Sequence, residues 1–303
     1  MTLTELRYIV AVAQEKHFGR AADACFVSQP TLSVGVKKLE EELGAALFER
    51  CNNEIKITPF GKQIVAQAQK VLAEAATLKD LAAIDKDHLN GVLRLGAIAT
   101  VGPYIFPTLI PQLKKLAPRM PVAIQEDLTD NFRVKLRQGE VDIVILALPF
   151  AEPGIVTLPL YNEPFVALLP AAHRWQKLKH INPNDLAEEQ MLLLGQGHCL
   201  REQILSVCYD CKDTITDHHY TGSSLETLRY MVASGLGVTV MPITAIHANP
   251  PEKKQLDYRP FSKPQPQRQV ALAWRKTFPR PKVIDVLRKA ILACKLAGIQ
   301  PLS

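Results

Sequence analysis

The tetrapeptide Ser28-Gln29-Pro30-Thr31 constrains the first sixty residues more than any other stretch. A serine hydroxyl accepts an orphan amide of a helix's first turn, and a proline placed there has no N–H to lose, so the residues predict a helix start. Upstream, Leu3, Leu6, Ile9, Val10 and Ala13 recur at helical spacing, and Phe18–Val27 forms a short second helix packed through its alanines. Downstream, Leu32, Val36 and Leu39 turn inward on a helix that runs through Leu43, leaving Gln29, Thr31, Ser33, Val34 and Lys37 on or near its outer face. After Gly44, Leu47–Arg50 leads into Asn52–Thr58, which suits a short hairpin or wing. Two short helices, a tight turn and a polar-faced third helix describe a helix-turn-helix, which lays its third helix in the major groove of DNA. The competing account is a third helix packed against protein.

From Pro59 to about His88 the chain has few breakers, and Ile64, Ala68, Val71, Ala75, Leu78 and Ala82 alternate by four and three. That is a coiled-coil-like seam suited to pairing with a second copy, or else an amphipathic helix lying on its own domain. Beyond Asn90-Gly91 the texture changes to alternating strands and helices. Val92–Ile98, Val122–Asp127 and Val141–Leu148 read as strands, with helices near Tyr104–Leu116 and Asn131–Gln138, so an α/β fold with a mostly parallel sheet is expected. Further strands are expected at Ile155–Leu160, Phe165–Leu169, Val238–Met241 and Arg268–Arg275, with a last helix near Lys282–Leu296. Ser223-Ser224-Leu225-Glu226 reads as a capping box. A chain that leaves one lobe near residue 162 and returns near 267 suggests two lobes with a cleft between them.

The segment Gly197–Cys208 carries the most suggestive chemistry. Gly197 precedes good helix formers, so Cys199 is expected near a helix N-terminus, where unsatisfied amides and the helix dipole favour a thiolate. Arg201, or His198 if protonated, would act in the same direction. Cys208 lies nine residues on, about 13 Å away along a continuous helix and on its opposite face. A disulfide tolerates roughly 7 Å between Cα atoms, so this pair can bond only if the segment unwinds. On spacing alone, two buried, inert cysteines that share a segment by chance are the leading account, and the redox switch is the lesser one.

Composition excludes some classes. At 303 residues the chain expects about two domains. No signal peptide and no apolar run of about 18 residues is apparent, so a cytoplasmic protein without membrane attachment is expected. Its six cysteines (25, 51, 199, 208, 211 and 294) should then be reduced at rest, and a disulfide would be sensory rather than structural. The net charge of +6 does not itself argue for DNA, because residues 1–60 hold seven bases against eight carboxylates and the surplus sits toward the C-terminus.

Ala21-Ala22, Ser28-Gln29-Pro30-Thr31-Leu32-Ser33, Leu39-Glu40 and Leu43-Gly44 together resemble the winged helix-turn-helix signature of LysR-type transcriptional regulators. The resemblance implies a winged helix-turn-helix over residues 1–58 and a linker or dimerisation helix with hinge over 59–90. It implies a two-lobed, periplasmic-binding-protein-like regulatory domain over 91–303, with lobe I at 91–162 and 268–303 and lobe II at 163–267. It places Ser28, Gln29, Pro30, Thr31, Ser33 and Lys37 at double-stranded operator DNA, with Arg50 near a phosphate. Gly197–Cys208, Ser224–Arg229, Met231-Val232-Ala233 and Thr100–Tyr104 resemble the hydrogen-peroxide sensors of that family. Carried over, Cys199 would be the peroxidatic thiol and Cys208 the resolving thiol, with Thr100, Thr129, His198 and Arg268 binding or polarising peroxide. The implied protein is a transcriptional activator rather than an enzyme. It would work as a dimer or tetramer with RNA polymerase, be reset by a glutathione- or glutaredoxin-type reductant, and need no cofactor.

Other accounts remain at this point. Cys211 and the His218–His219 pair beside Cys208 form only a loose metal pattern, and no metal is assigned; Cys199–Cys211 or Cys208–Cys211 bonds compete more strongly. Cys25 reads as a small buried hydrophobe, and Cys51 and Cys294 are given no partner. A regulator binding a small organic inducer in the cleft is the main alternative. A thiol peroxidase or a periplasmic solute-binding protein would have no use for the N-terminal reader.

Overall fold

A computed structural model describes residues 1–51, 54–83, 89, 91–207, 221–248 and 255–302. They fall into two units, one built on residues 1–83 and the other on the rest of the chain.

In the first unit, α1 (Leu3–Glu15) begins with a capping box that the sequence reading missed: the Glu5 amide donates to Thr2 Oγ1 and the Thr2 amide to Glu5 Oε2. A short α2 (Phe18–Ala24) follows, then α3 (Gln29–Leu43), whose N-cap Ser28 accepts from the Thr31 amide. The turn between them is closed by a bond from the Val27 amide to Ala22 and by Phe26 at φ 57°. Ile9, Val12, Ala21, Leu32, Leu39 and Leu47 form the core. Tyr8 of α1 lies so close to Gly35 of α3 that an added Cβ would come within 2.7 Å of its ring. Strands β1 (Phe48–Cys51) and β2 (Glu54–Ile57) pair antiparallel as the wing, and α4 (Pro59–Ala83) leaves it.

The second unit runs β3 (Leu93–Ile98), α5 (Gly102–Leu116), β4 (Val122–Asp127), α6 (Thr129–Gln138), β5 (Ile143–Leu148) and a 16-residue β6 (Ile155–Pro170). Then come β7 (Leu193–Leu194), α7 (Cys199–Val207), β8 (Thr221–Gly222), α8 (Leu225–Ala233), β9 (Thr239–Pro242) and α9 (Ile243–Ala248). Last are β10 (Leu256–Pro260), β11 (Gln267–Arg275), α10 (Pro281–Ala293) and β12 (Gln300–Pro301). One lobe is the sheet β6-β11-β5-β3-β4, packed on α5, α6 and α10 around Leu109, Phe132, Ile145 and Leu272. The other pairs the second half of β6 with β9 and β10 and packs around Phe165, Leu193, Leu228 and Phe261.

Three expectations need correction. The first sheet is mixed, not mostly parallel: β3 runs parallel to β4 and β5, but β11 is antiparallel to both β5 and β6. The cause is topological, since the strand that carries the chain out and the strand that brings it back run in opposite senses. The two strands expected at 155–160 and 165–169 are one continuous strand that serves both lobes. The capping box at Ser223 also does not form. Ser224 is the N-cap and accepts from the Thr227 amide at 3.1 Å, while Glu226 turns away to another partner.

Candidate functional site

Helix α7 starts at Cys199, two residues after Gly197, which sits at φ +90°. That left-handed backbone suits a glycine, and it turns the chain from β7 into the helix. Cys199 is a half-buried free thiol. It lines a small cavity of ≈ 10 Å³ together with Thr100, Asp127, Thr129 and His198. A space of about 10–15 Å³ holds one water, so nothing much larger enters without movement. Thr129 is the first residue of α6 and is buried; Thr100 follows β3 and is 3% exposed. Burial pushes the His198 imidazole below its usual value, so the cationic His198 considered from the sequence is disfavoured. Burial raises the Asp127 carboxyl, but bonds from Lys135, Asn131 and the Leu128 amide outweigh it and hold it below the ordinary carboxylate range. Lys135 Nζ lies 2.8 Å from Asp127 Oδ2.

Arg268, on β11, does not line this cavity; it reaches it through Thr100. Its Nη1 donates to Thr100 Oγ1 at 2.8 Å and its Nη2 to the Thr100 carbonyl at 2.9 Å. Its Nε donates to Glu163 Oε2 at 2.7 Å, and both side chains of that pair are about 1% exposed. Glu163 Oε1 in turn accepts from the amide and hydroxyl of Thr244 in α9. A guanidinium only donates, so the Thr100 oxygen accepts from it and the hydroxyl proton points elsewhere. Glu163 was not anticipated. Its signal was indirect: an arginine within an apolar strand needs a buried partner. A second cross-lobe contact has Tyr104 Oη donating to Glu226 Oε1 at 3.1 Å, with Arg229 Nε 3.2 Å from Glu226 Oε2. Burial and then the Glu226 charge push the Tyr104 phenol well up.

On its outer side Cys199 borders an open pocket of ≈ 370 Å³ between α6 and α7, where Arg133, Glu202 and Gln203 also stand. Gln203 Nε2 donates to the Leu148 carbonyl at 3.1 Å and ties α7 to the other lobe. Arg133 is matched by Asp130 at 3.3 Å and Glu152 at 3.2 Å and lies 4.5 Å over the Phe150 ring. Cys208, Cys211, His218 and His219 lie outside the described residues. Among the described residues no cluster of three or more His, Cys, Asp or Glu could hold a metal ion. No helix among them is long and apolar enough to cross a membrane. Cys25 is half-buried at the C-cap of α2, and burial raises its thiol; Cys294, raised by burial too, donates to the Ala290 carbonyl.

On α3, Gln29, Pro30, Thr31 and Lys37 are exposed, Ser33 is half-exposed, and Ser28 Oγ lies 2.8 Å from Thr31 Oγ1. Arg50 stands in β1, and its side chain lies outside what the structure describes.

A helix-turn-helix unit joined to a two-lobed α/β domain defines a class of bacterial regulators. Residues 3–62 match the bacterial regulatory helix-turn-helix protein model of the lysR family, and residues 86–293 match the LysR substrate binding domain. The chain belongs to the LysR family. It is 39% identical over 97% of its length, and 95% of the relative's, to the "DNA-binding transcriptional dual regulator OxyR" of Escherichia coli K12. The solved structure of a full-length OxyR variant from Pseudomonas aeruginosa matches with a TM-score of 0.77 and 51% identity, over 100% of this chain and 98% of that one. A hydrogen-peroxide-bound OxyR variant from Corynebacterium glutamicum matches with a TM-score of 0.64 and 31% identity, over 97% of this chain and 92% of that one.

Proposed function

We propose that this chain is a hydrogen-peroxide-responsive transcriptional regulator in which Cys199 reacts with peroxide and Cys208 resolves the product. The observation that carries this reading is the small cavity of ≈ 10 Å³, which brings a helix-start thiol together with two threonines and suits a ligand little larger than water. The OxyR relatives, one of them peroxide-bound, support the same signal.

The Cys199 sulfur, as thiolate, attacks one peroxide oxygen. The O–O bond breaks, the departing oxygen takes a proton and leaves as water, and sulfur becomes a sulfenic acid. First-turn amides of α7 favour negative charge on the sulfur. The Thr100 proton, turned away from Arg268, donates to peroxide and stabilises the departing oxygen, with Thr129 beside it. A neutral His198 serves as hydrogen-bond partner rather than as cation. Arg268 acts as a positioning residue through Thr100. Cys208 then attacks the sulfenic sulfur, releasing a second water and closing a disulfide that α7 cannot hold as a helix. The refolded domain changes the arrangement of α3 readers on operator DNA in a dimer or tetramer paired through α4, and hence the encounter with RNA polymerase. Two equivalents of a glutathione- or glutaredoxin-type thiol restore both cysteines.

An organic inducer would need the open pocket beside α7, where the nearest cation, Arg133, is already matched by two carboxylates. The deciding experiment adds near-stoichiometric peroxide to the reduced protein, alkylates free thiols and maps disulfides by mass spectrometry. A Cys199–Cys208 peptide that disappears in Cys199→Ser supports the reading. If Cys199 is alkylated as before and operator binding is unchanged, the inducer account replaces it.

A further inference from the structure

One exposed side chain on α3 has no part in the fold. With Leu32, Val36 and Leu39 buried, and about 100° between successive residues, the opposite meridian of the helix passes through Pro30, Val34 and Lys37. Val34 is 68% exposed there. A β-branched residue costs a solvated helix a few tenths of a kcal/mol relative to alanine, and its methyls gain nothing from water. Pro30 one turn back is also exposed, and Lys37 and Lys38 flank Val34 one turn on.

The occupant this arrangement fits is duplex DNA. Val34 stands at the edge of a groove of ≈ 380 Å³ that Phe18, Phe48, Lys37 and Glu40 also line, and the apolar surface exposed there is far smaller than the several hundred Å² that marks a protein-docking patch. Lys37 and Lys38, which in the free chain stand 3.8 Å from Glu41 and 3.2 Å from Glu5, complement phosphates, and Val34 lies on the same helix as the residues read as facing DNA. In the major groove only one base edge offers an apolar group, the 5-methyl of thymine.

We propose that Val34, with Pro30 beside it, contacts the 5-methyl group of a thymine in the operator and is a determinant of sequence preference. The proposal rests on the reading of α3 as the helix that enters the groove.

The test starts from a duplex that the reduced, full-length protein selects out of a random-sequence library. Each thymine in turn is replaced by deoxyuridine, which removes the methyl and keeps every hydrogen-bonding group, and affinity is read by fluorescence anisotropy at one salt concentration. The native chain is expected to weaken about fourfold at one or two positions per half-site, corresponding to about 0.8 kcal/mol for one methyl group. Val34→Ser should bind the thymine and uracil duplexes equally at those positions, with an unchanged circular dichroism melt. A native chain indifferent to uracil at every position overturns the proposal, as does a Val34→Ser variant that still discriminates. Gln29→Ala and Lys37→Ala separate the two readings. If both bind like the native chain, the reading of α3 itself fails; if they weaken while Val34→Ser discriminates, only the role of Val34 falls.

Discussion

Arg268 and Glu163 hold opposite charges with almost no exposure, so each depends on the other. Removing one partner of such a pair leaves an uncompensated buried charge. Arg268→Ala is therefore expected to lower stability by about 3–5 kcal/mol in urea denaturation. Thr100→Val keeps the shape but leaves Arg268 Nη1 without its acceptor, so a loss of about 1–3 kcal/mol is expected, together with slower oxidation of Cys199 by peroxide. His198 gives a pH dependence with a definite sign. Burial lowers its folded pKa below the unfolded value near 6.5, so its stabilising contribution is complete above that pH and is lost as pH falls through the folded pKa. The native chain should lose stability relative to His198→Asn on going from about pH 7 to about pH 5, and melting curves across that window check it. At this scale the sequence was legible where chemistry announces itself. A thiol after a glycine and a helix-start serine could be read directly, whereas Glu163 and Asp127 could not. Glu163 owes its role to Arg268, 105 residues away, which no local pattern records; Asp127 is held by near neighbours, Leu128, Asn131 and Lys135, but its place beside Cys199 depends on a distant element.

At the scale of elements, α7 is set by a glycine two residues before it and tied down by Arg201 and Gln203, which donate to the Leu194 and Leu148 carbonyls. A Cβ on Gly197 would lie 3.0 Å from Leu128 Cδ1 and would have to adopt φ +90°. Gly197→Ala should cost about 1–2 kcal/mol and displace the thiol, which a thermal melt and the rate of peroxide oxidation will register. Helices were the most legible elements, because caps and period-3.6 patterns are local. Helix α5 was expected at Tyr104–Leu116 and spans Gly102–Leu116. The capping box at Ser223 was misplaced because Glu226, the residue that suggested it, pairs instead with Tyr104 across the lobes. Sheet direction was the least legible feature. A strand's own residues report burial and alternation but not the sense of its neighbours, so the reversed β11 went unseen.

The unit formed after residue 83 is joined across its lobes by β6, whose first half pairs with β11 and whose second half pairs with β9 and β10. The lobes should therefore unfold together. The chain's two tryptophans allow a direct check: Trp175 belongs to the core with Phe165, and Trp274 lies on β11 in the other lobe. In urea, Trp175→Phe and Trp274→Phe variants, each reporting one lobe, are expected to show coincident fluorescence transitions. Separate midpoints would mean that β6 does not couple them. The cavity beside Cys199 bears on the whole molecule in another way. A space for about one water excludes bulky molecules unless its walls move, so what reaches Cys199 by that route is sorted by size before any chemistry begins. Water, the commonest molecule of that size, has no bond that a thiolate can break, whereas a peroxide has one. With Cys199 reacting as proposed, a population of such molecules would not report an instantaneous concentration as a saturable receptor does; it would accumulate reacted copies and record exposure summed over time, the proposed reductant setting how quickly that record is erased.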